Sequence, residues 1–293
     1  MTSWPVVLFA LAFGLVVGSF LNVCIVRWPE GESVVRPASR CPRCGRGVRW
    51  YENVPVVSWL LLRGRCAGCG LPIGLLYPAV ELATGLAWAS AAAVYGPTLD
   101  ALRVAVFATV LLGIAVTDAR RMVIPDGFTG FLLAWALVTS IVSHNPDATA
   151  LFAAPYEAFV GACAGAGAVA IIGWLGELAF KKEAMGFGDV TMMAGVGAAL
   201  GPERALLTVV LGALVGAVAS VLVLAPVAYL RHRRGAAAGA AEGHGDAAAD
   251  DGAGGGFELP PVPFGVFLAP AALVTLLAGD RLIAWYFAHV LTT

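Results

Sequence analysis

The sequence carries little charge for its length. Of its 293 residues, 13% are charged and 59% are hydrophobic. Soluble domains contain about twice that charged fraction, and several apolar runs reach the ~20 residues that cross a bilayer. The sequence therefore predicts an all-α, polytopic membrane helix bundle, with the lipid bilayer as a partner. Nothing in it resembles a nucleic-acid-binding face, so no nucleic-acid partner is expected.

The first apolar run, residues 4–26, has no cation before it. A secretory signal peptide begins with a basic region and has a shorter apolar run. Here the basic residues follow the run, from Arg27 onward. We therefore expect an uncleaved helix whose N-terminus faces outward.

Eight apolar segments are predicted to form transmembrane helices. They cover about residues 4–26, 77–95, 101–117, 128–142, 156–180, 186–201, 205–230 and 264–278. Residues 282–291 are expected either to extend the last helix or to lie at the membrane interface. Residues 235–256, mostly Ala, Gly and Asp, are predicted to be a disordered linker.

Basic residues collect on one side when these helices are threaded alternately. The loop 27–76 holds eight Arg against three Glu, and the positive-inside rule places it in the cytoplasm. Fifteen of the eighteen Lys and Arg residues then face the cytoplasm. The same threading puts Asp118 and Asp189 at the cytoplasmic face.

Two C-x-x-C pairs in this loop predict a small zinc-binding domain. Cys41, Cys44, Cys66 and Cys69 leave 21 residues between the pairs, a spacing typical of a tetrahedral four-cysteine site. The alternatives are disulfides, which a reducing cytoplasm disfavours, and free thiols. No open ligand position is evident, so the Zn²⁺ would be structural and would hold a loop with few apolar residues.

Asp118 and Asp189 each lie at the edge of an apolar segment. A carboxylate at a helix centre in hydrocarbon costs about 2.5–3.5 kcal/mol on insertion scales, so such residues need a reason. Asp189 follows Gly186-Phe187-Gly188, and the glycines would let another backbone or a substrate strand approach. Taken singly, Asp189 could cap a helix, and Asp118 could be a solvated or ion-paired helix end.

Together the two acids are typical of an aspartyl hydrolase. Two carboxylates that share a site hold one proton between them. The ionised member takes a proton from the attacking water, and the protonated member donates to the oxyanion. The four histidines lie outside both motifs, which disfavours a serine triad or an H-E-x-x-H site. A scaffold or transporter with a proton relay is another alternative, disfavoured because no inverted repeats are evident and both acids fall at one face.

In their order along the chain, these features resemble the type IV prepilin leader peptidases, membrane aspartyl proteases with a Gly-x-Gly-Asp motif. The matching segments are residues 18–23, both C-x-x-C pairs, 50–55, 58–60, 64–66, 77–78, 80–82, Asp118 with 124–126, 185–190 and 263–265. The resemblance implies that Asp118 and Asp189 are catalytic. It also implies that Gly186, Gly188, Pro125 and Asp126 support the two motifs.

The resemblance also implies a function and a location. The enzyme would serve type IV pilus or type II secretion systems in the bacterial plasma (inner) membrane, with its active site facing the cytoplasm. It would cleave leaders from prepilins and pseudopilins and then N-methylate the new N-terminal residue with S-adenosylmethionine. The alternative is a peptidase alone, whose zinc loop positions the substrate.

Residues 1–95 would then form the methyltransferase region and residues 96–293 the peptidase core. Two positions depart from the family's pattern, because Leu76 and Thr191 stand where basic residues are usual. The sequence indicates no oligomeric state.

Overall fold

The computed structural model describes residues 3–142, 151–181, 185–224 and 263–290. In these ranges the chain is helical, with two isolated β-bridges and no β-strand. The α-helices are α1 (Trp4–Arg27), α2 (Val57–Leu61), α3 (Leu76–Tyr95), α4 (Leu99–Arg121), α5 (Asp126–Val142), α6 (Pro155–Phe180), α7 (Phe187–Leu200), α8 (Pro202–Ala219) and α9 (Gly265–Val290). All except the short α2 correspond to the eight predicted segments, which confirms the all-α class.

Five of the described helices are long and apolar enough to cross a membrane. They are α1, α4, α6, α8 and α9, while the apolar α5 and α7 are shorter. The predicted polytopic membrane bundle is therefore confirmed. The predicted linker 235–256 lies outside the described residues, as do Lys182 and the basic residues 231–234.

Helix α4 is longer than its apolar pattern predicts. It continues to Arg121, so Asp118 lies inside its last turn instead of following it. Met122, in the left-handed conformation, ends the helix, and its N–H donates to the Asp118 carbonyl at 2.8 Å. Apolar periodicity misses this turn because its residues are polar.

Helix α9 is continuous past Pro270 to Val290. Of the two alternatives for residues 282–291, the extension of the last helix is therefore the one observed as far as the described residues reach. The N-terminus of this helix, at Gly265, has more bearing on the site than its length.

Helix α7 lies at the centre of the bundle. Met192, Met193 and Val196 are fully buried among the surrounding helices. A Cβ on Gly161 of α6 or on Gly197 of α7 would collide with the backbone of the other helix. Small residues let two membrane helices touch along their backbones in this way, so the start of α7 is rigidly placed.

The N-terminal region packs onto this core at the junction of α4 and α5. The Trp28 ring meets the Phe128 ring edge-on, with centroids 4.5 Å apart. Arg121 Nη2 lies 2.7 Å from Glu30 Oε1. These contacts join the two predicted regions, residues 1–95 and 96–293, and do not show where one ends. The division between residues 95 and 96 therefore stays a prediction.

Candidate active site

Asp118 and Asp189 come together around Ile124. Asp118 lies in the last turn of α4, and Asp189 lies in the first turn of α7. A Cβ on Gly188 would lie 2.8 Å from Ile124 Cβ, and a Cβ on Gly265 would lie 2.9 Å from both Ile124 Cδ1 and Asp118 Oδ2. Ile124 thus lies between the residue that precedes Asp189 and the helix start that contacts Asp118.

Asp118 is held by the start of α9. Only 5% of the residue is exposed, and its Oδ2 accepts a hydrogen bond from the Val266 N–H at 3.1 Å. The first N–H groups of a helix lack intrahelical partners and carry partial positive charge, so they stabilise a carboxylate. Asp118 is therefore buried and bonded to backbone, unlike the solvated helix end considered as an alternative.

Asp189 is buried with backbone support on one side, a hydrogen bond from the Gly186 N–H. It is 8% exposed, and its Oδ1 has no hydrogen-bond partner among the described residues. A buried unpaired acceptor costs about 1–3 kcal/mol. Gly186 occupies the N-cap position of α7 and Asp189 is the third helical residue, so the capping alternative for Asp189 is wrong. Asp189 Oδ1 is itself buried, so a proton on the Asp189 carboxyl would reduce the cost.

The two motif glycines have different roles. The space beside Gly188 is occupied by Ile124, which lies where a side chain at this position would stand. Gly186 is exposed, and the nearest group to a Cβ built there is Asp189 Oδ2 at 3.8 Å. The room for an approaching substrate strand, predicted at both glycines, is thus present only at Gly186.

Pro125 and Asp126 connect α4 to α5. Pro125 is buried beside Ile124, whereas Asp126 is the first residue of α5 and is exposed. Asp126 is thus separate from the buried pair, and its supporting role stays a prediction. Sequence reasoning missed Ile124, Gly265 and Val266 as site residues. Ile124 and Gly265 do lie in segments that resemble the family's pattern, but that resemblance assigned them no place beside the aspartates.

The four loop cysteines form one cluster. The Sγ atoms of Cys41, Cys44, Cys66 and Cys69 all lie within 4.8 Å of one another, and Cys41 Sγ is 4.0 Å from Cys69 Sγ. Zinc–sulfur bonds of ~2.3 Å in a tetrahedron separate the sulfurs by about 3.8 Å. All four thiols are free, so the disulfide alternative is not the arrangement observed. The donor set fits a Zn²⁺ ion.

Each cysteine pair lies on the same type of tight turn. The Gly45 N–H donates to the Cys41 carbonyl, and the Gly70 N–H donates to the Cys66 carbonyl, both at 2.9 Å. Both glycines have φ near 70°, a conformation that side chains disfavour. The two turns thus present their cysteines to a common centre.

The surroundings of the cluster favour thiolates at Cys41 and Cys66, whereas desolvation and the neighbouring cysteines raise the pKa of Cys69 to about 11. Hydrogen bonds from the backbone N–H groups of Cys44 and Arg43 lower the pKa of the Cys41 thiol to about 6. Arg46 also reaches the second turn, because a Cβ on Gly68 would lie 2.9 Å from Arg46 Cδ and 3.5 Å from Cys44 Sγ. A hydrogen bond from Arg46 in turn lowers the pKa of Glu52. Arg46 is thus a cation beside the cluster and offsets part of the negative charge of four thiolates.

Comparisons with known proteins cover both regions of the chain. Residues 12–95 match the family described as the bacterial peptidase A24 N-terminal domain, and residues 105–221 match the type IV leader peptidase family. A prepilin leader peptidase/N-methyltransferase of Aeromonas hydrophila is 31% identical over 95% of this chain and 93% of that protein. The chain belongs to the type IV leader peptidase family.

Other leader peptidases of this name are similar. One of Pseudomonas aeruginosa is 33% identical over 96% of this chain and 93% of its own length. One of Myxococcus xanthus is 41% identical over 74% of this chain, and that alignment spans 62% of the relative. No solved structure matches the chain.

The two matched regions divide the candidate residues between them. The N-terminal match contains the four cysteines, and the leader peptidase match contains both Asp118 and Asp189. Gly265 and Val266 lie beyond the second match, so their place beside Asp118 is known from the structure alone.

We predict that the purified protein contains about one Zn²⁺ per chain, as a four-cysteine site would hold. Cys41→Ser should lower the metal content severalfold because it removes one of four thiolates. Metal analysis by inductively coupled plasma mass spectrometry measures this directly. Cys163→Ser, at an exposed position of α6, is the control and should keep the metal. Full metal content in Cys41→Ser would contradict the assignment.

Proposed function

We propose that the chain is a membrane aspartyl endopeptidase that cleaves the leaders of prepilins and pseudopilins at the cytoplasmic face of the bacterial inner membrane. The proposal rests on one observation above others: Asp118 and Asp189 are both buried, and each lies beside a glycine that packs against Ile124. Membership of the leader peptidase family and the printed names of its relatives supply the substrate class.

The two carboxyl groups can supply both the acid and the base for cleavage, so the proposed reaction needs no cofactor at the scissile bond. One proton is shared between them. Water attacks the scissile carbonyl carbon and gives its proton to the ionised carboxylate, while the protonated carboxyl donates to the carbonyl oxygen. When the tetrahedral intermediate collapses, the carbon–nitrogen bond breaks, and the leaving amine takes a proton from the pair. Asp189 Oδ1, which lacks a hydrogen-bond partner among the described residues, would gain one from the water or the substrate.

Access to the pair is supported by the start of α7. Gly186 is exposed, and the next residue, Phe187, is 76% exposed. An extended substrate strand at Gly186 would therefore pass close to Asp189 without displacing a side chain. The exposed Phe187 ring offers an apolar surface beside that path.

Charge supports the cytoplasmic orientation. Arg120 and Arg121 lie two and three residues after Asp118, and Lys181 follows the end of α6. The arginine-rich loop begins at the end of α1, which Glu30 ties to Arg121. Loops rich in Lys and Arg remain in the cytoplasm, so the carboxylate pair would face the same compartment.

We further propose that the chain N-methylates the amine that cleavage releases. Its relatives are named for this activity, and the N-terminal domain match covers the cysteine loop. S-adenosylmethionine would supply the methyl group when bound. The amine nitrogen then forms a bond to that methyl carbon, the carbon–sulfur bond breaks, and a proton leaves the amine. The Zn²⁺ held by the four cysteines would keep the loop folded.

Asp118→Asn and Asp189→Asn should each lower the rate of leader cleavage by at least about 100-fold, since each removes an acid or base from the pair. The measurement is processing of a purified prepilin by the protein in membranes or detergent. Asp100→Asn is a matched control in α4, because Asp100 is an exposed acid in the first turn of that helix. Near-normal processing by either of the two site variants would show that the pair is not the catalytic centre.

Gly265→Ala should lower kcat for leader cleavage by about 10- to 100-fold with little change in KM. The added Cβ would stand 2.9 Å from Asp118 Oδ2 and Ile124 Cδ1, so the carboxylate must move. Gly130→Ala in α5 is the control, because a Cβ there meets nothing within 4 Å. Thermal unfolding of both variants separates loss of fold from displacement of Asp118. An unchanged kcat in Gly265→Ala would contradict the assigned contact.

Methylation has its own readout. With S-adenosylmethionine present, the mature product should gain about 14 Da at its N-terminal residue, the mass of one added methylene. Mass spectrometry of the product, with and without the cofactor, measures this gain. Complete cleavage without any mass gain would favour the alternative, a peptidase whose zinc loop positions the substrate.

A further inference from the structure

A cavity of about 360 Å³ lies between the last three turns of α1 and the cytoplasmic loop. Small-molecule sites are typically about 300–1,000 Å³, apolar for the most part, with a few placed polar groups. The lining has this mixture, and its members include Ser19, Phe20, Arg27, Ala38, Ser39 and Asn53. None of them takes part in the peptide cleavage described above.

We propose that this cavity binds S-adenosylmethionine. The inference rests on the methyl transfer proposed above and adds to it the residues that would hold the cofactor. S-adenosylmethionine carries an adenosine, a sulfonium cation, an ammonium group and a carboxylate. The lining offers counterparts to the adenosine and the carboxylate, and Glu81, behind the lining, offers one to the cationic end.

Phe20 and Asn53 suit the adenosine. The Phe20 side chain is 53% exposed and contributes an aromatic surface to the cavity. Aromatic rings stack on nucleobases regardless of base identity. The Asn53 amide and the Ser39 hydroxyl can both donate and accept hydrogen bonds, as the adenine edge and the ribose hydroxyls require.

Arg27 suits the carboxylate. Its Nη1 donates to the Ser33 carbonyl at 3.0 Å, and its Nη2 donates to the Pro37 carbonyl at 2.7 Å. These bonds fix the guanidinium in the cavity wall and use two of its five N–H donors. The remaining donors can meet a carboxylate in a charge-assisted contact.

Glu81 suits the cationic end. It lies in α3 behind Ser19, to which its carboxylate is hydrogen-bonded, and it also accepts the Val56 N–H at 2.7 Å. Its carboxyl group is therefore one hydroxyl group away from the cavity. An opposite charge at such a distance stabilises a cation in a partly buried site, so Glu81 would favour the sulfonium and ammonium groups. The chemistry above gives this half-buried acid no other role.

The cavity also lies next to the peptidase site. Its wall includes Arg27 and Val34, and the segment between them makes the Trp28 ring contact with Phe128 and the Glu30 ion pair with Arg121. Val34 itself packs against the main hydrophobic core. One segment thus separates the cavity from the α4–α5 junction that carries Asp118, so an amine freed there would be close to a methyl donor in the cavity.

A direct binding experiment tests the proposal without relying on activity. Radiolabelled S-adenosylmethionine is cross-linked by ultraviolet light to the purified full-length protein, and the labelled peptides are mapped. We expect label within residues 16–39 or 53–55, and excess S-adenosylhomocysteine should remove it. Label confined to other segments would overturn the inference while leaving methyl transfer itself untouched.

Variants supply the second measurement. Ala38→Trp fills the cavity from its exposed rim and should weaken S-adenosylmethionine binding at least tenfold, by isothermal titration, while leader cleavage stays normal. Leu71→Trp adds a tryptophan to the same loop outside the lining and should bind normally. Wild-type affinity in Ala38→Trp would overturn the inference and would point to another occupant, such as a lipid chain.

The outcomes separate this inference from the proposed function. A wild-type protein that cleaves leaders but binds no S-adenosylmethionine would overturn both the proposed methyl transfer and this site. A protein that methylates its product and binds the cofactor equally well after Ala38→Trp would overturn the site alone.

Discussion

Burying two carboxylates beside each other is the constraint on which the structure depends. Burial of charge in an apolar, low-dielectric environment costs free energy, so the surrounding helices must hold both carboxyl groups in place. Asp118 receives the Val266 N–H from the start of α9, whereas Asp189 keeps an unpaired Oδ1. Ile124 lies between Gly188 of α7 and Gly265 of α9, so this one side chain links the end of α4 to both helices. Close backbone contact between α6 and α7, at Gly161 and Gly197, fixes the other end of the helix that carries Asp189.

The N-terminal region depends on the same junction. A loop with few apolar residues is closed by four cysteines at one end and is tied to α3 by the Glu81 carboxylate. It joins the membrane core through the contact of Trp28 with Phe128 and the ion pair of Glu30 with Arg121. A region assigned to methyl transfer therefore adjoins the region assigned to cleavage, which suits two successive reactions on one substrate.

Much of this arrangement could be predicted from the sequence. Apolar runs gave the helices, and the spacing of the cysteines gave a cluster that the structure reproduces. Hydropathy indicates which segments lie in a membrane but not which helices contact each other. The contact of Gly265 with Asp118, about 150 residues apart, could therefore not be predicted. Local pattern also left Asp189 open to a capping role, which only the observed N-cap at Gly186 excludes.

The central claim is that Asp118 and Asp189 act on one reacting carbon as a unit. An experimental structure with a leader peptide analogue, carrying a hydroxyl in place of the scissile carbonyl, tests this most directly, because such analogues mimic the tetrahedral intermediate. We predict that the hydroxyl oxygen lies within about 3 Å of a carboxylate oxygen of both residues. An inhibitor hydroxyl that contacts only one of the two, or neither, would contradict the account.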